Sequence, residues 1–213
     1  MSLKSRLIVG ISGASGAVYG VRLLQALKSL PVETHLVMSK AAEMTLAYET
    51  EFKAKEVRAL ADRWYPVTDL GAAISSGSFQ TLGMIIAPCS VRSMAEIATG
   101  VTTSLLTRAA DVVLKERRRL VLMLRESPLH TGHLRNLTVL SEMGAIIAPP
   151  LPAFYTRPQT IEDIVDHSVG RALDLLGIES GLVKRWGESP ARPRRPVKPH
   201  PGERSARPRP RKR

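Results

Sequence analysis

Cysteine is nearly absent from this sequence: Cys89 is the single thiol in 213 residues. That excludes an internal disulfide and a multi-cysteine metal site, and it suits a reducing compartment. Long apolar runs are missing as well. The N-terminal segment offers only Leu7, Ile8, Val9, Gly10 and Ile11 before Ser12 and Gly13. Such a run is too short for a secretory leader and far too short to span a bilayer, so a cytoplasmic location is expected. Histidines at 130 and 133 stand i, i+3 without an H-E-x-x-H frame, and no metal site is expected from them. Negative charge is scarce too, with 19 acidic against 31 basic residues and a net charge of +12.

The excess of positive charge is lopsided. Between Ser189 and Arg213 there are ten Lys/Arg against one acidic residue, a net +9, which leaves only +3 for residues 1–188. The same stretch holds seven of the fifteen prolines and no aromatic residue. It cannot bury enough apolar surface to offset its ordering entropy. One domain over 1–188 with a disordered Pro/Arg-rich extension over 189–213 is therefore expected. The extension suits polyanions through charge alone, because it lacks aromatics for base stacking and has no amphipathic helix.

Residues 1–188 alternate between short apolar runs and helical spacing. Arg6 to Ile11, Thr34 to Met38, Met84 to Ala87 (stopped by Pro88), Leu120 to Leu124 and Ala145 to Ala148 read as buried strands. Val18 to Leu30, an Ala-rich stretch after Lys40, Val91 to Ala98, Leu105 to Lys115, Leu134 to Met143 and Thr160 to Leu176 read as helices, the last opened by a Thr160/Asp163 capping box. The alternation predicts an α/β domain, doubly wound around a mostly parallel sheet, Rossmann- or flavodoxin-like in three layers. In such sheets ligands sit beyond the carboxyl ends of the strands, and the segments there are polar.

The first of these segments, Gly10-Ile11-Ser12-Gly13-Ala14-Ser15-Gly16, departs from G-x-G-x-x-G. No acidic residue closes the second strand to hold a ribose diol; Ser39-Lys40 stands there instead. Hydroxyls and a cation at that point favour a phosphate and a mononucleotide over a dinucleotide. Ser90 and Ser93 flank the start of the next helix and either cap it or join its N–H groups on a phosphate. Cys89 reads as a packing residue, since no base lies near it in sequence. Arg125-Glu126 directly follows a buried strand, which aims both at the mouth of the site. Lys115, Tyr155, Arg157 and Arg171 are further cations or hydroxyls available around it.

Together these segments resemble the UbiX flavin prenyltransferase family from about Leu7 to Glu188. The matching stretches are GISGASGAVYGVRLL (10–24), MSKAA (38–42), SSGSF (75–79), APCS (87–90), RAADVVLKERR (108–118) and RESPLH (125–130). GAIIAPPLPAFYTRPQTIEDIVD (144–166), GRALDLLGI (170–178) and RWGE (185–188) complete the set. The resemblance implies that FMN is held by Gly13, Ala14, Ser15, Ser39, Ser90, Val91, Arg92, Ser93 and Arg125. It implies that an isoprenyl phosphate is gripped by Ser76, Lys115, Arg125, Tyr155 and Arg171, with Trp186 packed nearby and Glu126 and Ser15 handling protons. It further implies a homododecamer with the flavin between subunits, dimethylallyl monophosphate as donor, and prenylated FMN delivered to a UbiD-type decarboxylase. Ser104, Arg119 and Arg135 depart from the residues usual in the family.

Two other activities share this fold. A flavoprotein Cys-decarboxylase would carry P-x-M-N-x-x-M-W where this chain has Arg125 to His130, and a histidine where it has Ser75-Ser76-Gly77. Direct aromatic-acid decarboxylation is the second. Diphosphate prenyltransferases recruit magnesium through D-D-x-x-D motifs, which are absent from this sequence. Fixed cations would then have to neutralise the leaving phosphate.

Overall fold

The computed structural model describes residues 5–187. The extension expected at 189–213 lies outside the described residues. Strands and helices alternate as β1 (Ser5–Ile11), α1 (Ala17–Leu27), β2 (Val32–Met38), α2 (Lys40–Glu49), α3 (Ala54–Arg58), β3 (Arg63–Tyr65) and β4 (Gly83–Cys89). They continue with α4 (Val91–Ala98), α5 (Leu105–Lys115), β5 (Arg119–Leu124), α6 (Thr131–Glu142), β6 (Ile146–Ile147) and α7 (Ile161–Asp174). The sheet order is β3-β2-β1-β4-β5-β6, and every pairing is parallel. The chain thus winds outward in one direction from β1 and in the other from β4.

Alternation along the central strands explains the three layers. Leu7, Val9 and Ile11 of β1, Ile85 and Ala87 of β4, and Val121 and Met123 of β5 pack with α1, α2 and α7. Ile8, Met84, Ile86, Leu120, Leu122 and Leu124 face the other way, into α4, α5 and α6. Because both faces are covered, these strands read as continuous apolar runs and not as alternating ones.

Three expectations change. α1 stops at Leu27, short of Leu30, because Pro31 disfavours the helical conformation for the residue before it. β4 does not stop at Pro88 but runs on to Cys89, with a register shift between Ile86 and Cys89 where the missing proline N–H interrupts the ladder. α3 and β3 leave no periodic signal in the sequence. β3 is a three-residue edge strand paired only with β2, too short to show a period. The Thr160/Asp163 capping box of α7 is present, with Asp163 N donating to Thr160 Oγ1 at 3.1 Å.

Candidate active site

β1 and β4 lie side by side, yet their helices leave on opposite faces, which opens a crevice at their carboxyl ends. Ser12, 1% exposed, clasps the two strand ends: its Oγ donates to Pro88 O at 2.8 Å and accepts from Ser90 N at 2.7 Å. Ser39 N donates to Ile11 O at 3.0 Å and draws the end of β2 to the same point. A Cβ on Gly13 would lie 2.4 Å from Ala41 Cβ, so only glycine lets the first turn lie against the start of α2.

The crevice is a cleft of about 520 Å³ whose lining includes Gly13, Ser39, Ser90, Arg92, Ser93 and Ser104. That volume lies within the range of small-molecule sites. Ser39, Ser90 and Ser104 are the N-caps of α2, α4 and α5, accepting from Ala42 N, Ser93 N and Thr107 N. Three helix N-termini therefore converge on one cavity. Their partial positive charges and hydroxyls suit a phosphate monoester. Capping and ligand binding, left as alternatives for Ser90 and Ser93, are compatible: Ser90 caps, and both side chains line the cleft. Ser104, one of the departures from the residues usual in the family, is a full N-cap of α5.

The N-terminus of α1 is different: its first amides are held by a carboxylate of this chain. Gly16, at φ +102°, turns the chain so that Gly16 N and Ala17 N donate to Glu49 Oε2 at 2.7 and 3.0 Å. Ser15 also hydrogen-bonds to this carboxylate. Burial pushes the Glu49 pKa upward, but the bonds from Ser15, Gly16 and Ala17 and the charge of Arg125 outweigh it and hold the carboxyl below its usual range. Ser15 thus has a built-in acceptor. Glu49 was missed in the sequence because it ends α2, over thirty residues from the turn it serves, and no local pattern marks it.

Arg125 stands at the end of β5, its amide bonded to Cys89 O at 3.0 Å, and its charge reaches Tyr19 as well as Glu49. Glu126 is exposed and accepts from Ser127 N at 3.0 Å; among the described residues it makes no ion pair with Arg125. Cys89 is fully buried, and burial pushes its thiol up to about 12, a packing role and not a nucleophile's.

The remaining predicted residues gather elsewhere. Ser104 caps α5 at the cleft and Lys115 ends the same helix, so eleven residues, about 16 Å, separate them. Lys115 meets the Ser76 loop at that far end, where a Cβ on Gly77 would lie 2.9 Å from Lys115 Nζ. Arg118 fixes the same loop by donating to the carbonyls of Gly77 and Phe79. A third group gathers around α7: Tyr155 Oη is 3.1 Å from His167 Nε2, the Tyr155 ring meets Trp186 edge-on at 5.3 Å, and Arg171 pairs with Asp174. Arg119 anchors the start of β5 through Leu175 O at 2.9 Å, and Arg135 is exposed on α6. Among the described residues no helix is long and apolar enough to cross a membrane.

Comparisons with known proteins agree with this fold. The family model described as Flavoprotein matches residues 1–173. The flavin prenyltransferase UbiX of Escherichia coli K12 is 59% identical over 184 residues, covering 85% of this chain and 97% of that protein. The crystal structure of AnUbiX (PadA1) in complex with FMN and dimethylallyl pyrophosphate superposes with a TM-score of 0.86 at 49% identity, over 88% of this chain and 100% of that one. A dodecameric FMN-dependent UbiX-like decarboxylase from Escherichia coli O157:H7 gives 0.83 at 54% identity, over 85% and 98%. With identity of this level over 85% of its length, the chain belongs to the UbiX family of flavin prenyltransferases.

Proposed function

We propose that the chain joins a dimethylallyl group from dimethylallyl monophosphate to N5 and C6 of reduced FMN, and that the prenylated flavin serves a UbiD-type decarboxylase. The observation that carries this reading is the convergence of three capped helix N-termini on one cleft, in a chain whose relative was crystallised with FMN and dimethylallyl pyrophosphate. Reduced FMN supplies the electron-rich N5 and C6 to which the prenyl carbons become joined. Gly13, Ala14, Ser15, Ser39, Arg125 and the turn Ser90, Val91, Arg92 and Ser93 hold it at the strand ends.

As the donor's C–O bond breaks, negative charge grows on the leaving phosphate, and Lys115, Arg125 and Arg171 neutralise it as fixed cations. Ser76 and Tyr155 add hydroxyl donors, and Trp186 packs against Tyr155. Glu126 gives a proton to the departing phosphate or takes the aromatic proton, and Ser15 relays a proton with Glu49 as its acceptor. Lys115 and Ser76 lie a helix length from the cleft in their own chain, which supports a homododecamer in which one subunit's cations complete another's site.

Anaerobic incubation of purified, FMN-loaded protein with dithionite and dimethylallyl monophosphate, without added metal, should yield an extracted flavin heavier by one prenyl unit. The unmodified flavin mass from correctly assembled protein would overturn the reading. Because one relative carries the name decarboxylase, the same preparation is assayed on an aromatic acid with and without a UbiD-type partner. Decarboxylation is expected only with the partner.

A further inference from the structure

The Tyr155 hydroxyl is engaged from two sides. His167 Nε2 lies 3.1 Å from it and the Lys184 carbonyl oxygen 3.3 Å from it. The His167 ring meets the phenol edge-on at 5.7 Å. His167 is 9% exposed and stands one helical turn before Arg171 on α7. Both line a cavity of about 220 Å³ beneath Pro149, Pro150 and Leu151.

Proton counting fixes the roles. A phenol has one proton to give and lone pairs to receive, while a carbonyl only receives. When the phenolic proton points at Lys184 O, or at any other acceptor, the bond to His167 must run the other way, from Nε2–H to Oη. That requires a proton on Nε2, which in a neutral imidazole means the Nε2–H tautomer. Burial lowers the proton affinity of His167, and Arg171 lowers it further against the opposing pull of Asp174, so the neutral ring is the favoured form. The Lys184 carbonyl is a long partner for a hydroxyl, whose bonds usually run about 2.7–2.8 Å. An ionised phosphate oxygen would be a shorter and stronger one.

We propose that His167 is a positioning residue for prenyl transfer: its Nε2–H donates to Tyr155 Oη and so commits the phenolic proton to the phosphate of the isoprenyl substrate. The proposal rests on the reading above that Tyr155 and Arg171 grip that phosphate. Arg171, one turn away on the same helix, supplies charge, and His167 supplies direction.

The test is steady-state prenylation of reduced FMN by the full-length protein, with FMN loading and assembly size measured for every variant. His167→Phe should raise KM for dimethylallyl monophosphate about fivefold to tenfold, the scale of one hydrogen bond, with FMN loading unchanged. His167→Gln, whose amide N–H can still donate, should recover part of that loss. The His167→Phe/Tyr155→Phe double variant should be no worse than Tyr155→Phe alone, because both changes remove one interaction. Losses that multiply in the double variant, or an unchanged KM in His167→Phe, would overturn the proposal while wild-type turnover leaves the functional reading standing. If His167→Phe fails to load FMN, His167→Gln against His167→Gln/Tyr155→Phe carries the same test. Wild-type protein that makes no prenylated flavin would overturn the functional reading itself.

Discussion

The two poles of the sheet make opposite electrostatic offers. At the carboxyl ends of the strands, α2, α4 and α5 begin, and small hydroxyl residues at their caps present N–H groups to a 520 Å³ cleft. At the other pole α5 ends, and Lys115, Arg117, Arg118 and Arg119 gather where the helix dipole is negative. One pole suits a bound anion through backbone, the other through side-chain charge. The comparison teaches that a phosphate needing both kinds of contact cannot be served by a single subunit whose two offers stand a helix length apart.

The largest expected effect comes from the proposed proton chemistry after β5. Glu126→Gln should keep FMN loading yet slow turnover by about 10²-fold or more, the scale for losing a positioned acid or base. Wild-type turnover in this variant would move the proton role to the Ser15–Glu49 pair. Next in size, Lys115→Ala at the opposite pole should raise KM for the prenyl phosphate by roughly tenfold or more, as befits a charged hydrogen bond, while sparing the flavin. The comparison of poles can then be broken directly. Mixed oligomers of Lys115→Ala and Gly13→Val subunits, each poor alone, should regain activity if the poles meet between subunits. No recovery would place both contacts within one chain.

A smaller effect is expected from Glu49. Its carboxyl is held below the usual glutamate range in the folded protein, so its contribution to stability is present above the unfolded value and fades as pH falls through the lowered one. Glu49→Gln should therefore flatten the acid limb of a thermal-melt profile against pH, and an unaltered limb would show that the α1 turn does not depend on this charge. The smallest effect on catalysis is expected from removing Ser189 to Arg213. We propose that this segment is an accessory: turnover should stay unchanged while the salt needed for elution from heparin drops, since the segment carries +9 of the +12 net charge. A collapse in turnover would place it in the catalytic unit.

Much of the architecture was legible because it is local. The strands β1, β2, β4 and β5 are apolar runs covered on both faces, and α4 and α5 begin and end where the sequence places them because serines cap both and their apolar spacing is regular. The Thr160 box announces α7 for the same reason. The edge strand β3 escaped because three residues carry no period and are held only by their neighbour. At the site, Gly13, Ser39 and Ser90 could be found by position after a strand, whereas Glu49 and His167 could not. Their partners are a turn 33 residues away and a phenol in a separate loop.

Sequence by itself determined the parallel α/β layering, the polar strand ends and the family, because apolar periodicity, caps and motifs are encoded over a few neighbouring residues. Tertiary structure decided which of those polar residues share a cavity. Only the winding outward from β1 and β4 brings the caps of three helices to one cleft, lays Glu49 across the start of α1 and leaves Lys115 at the far pole. The reason is geometric: each strand end lies far from the next in sequence, and it is the ladder between strands that sets them side by side.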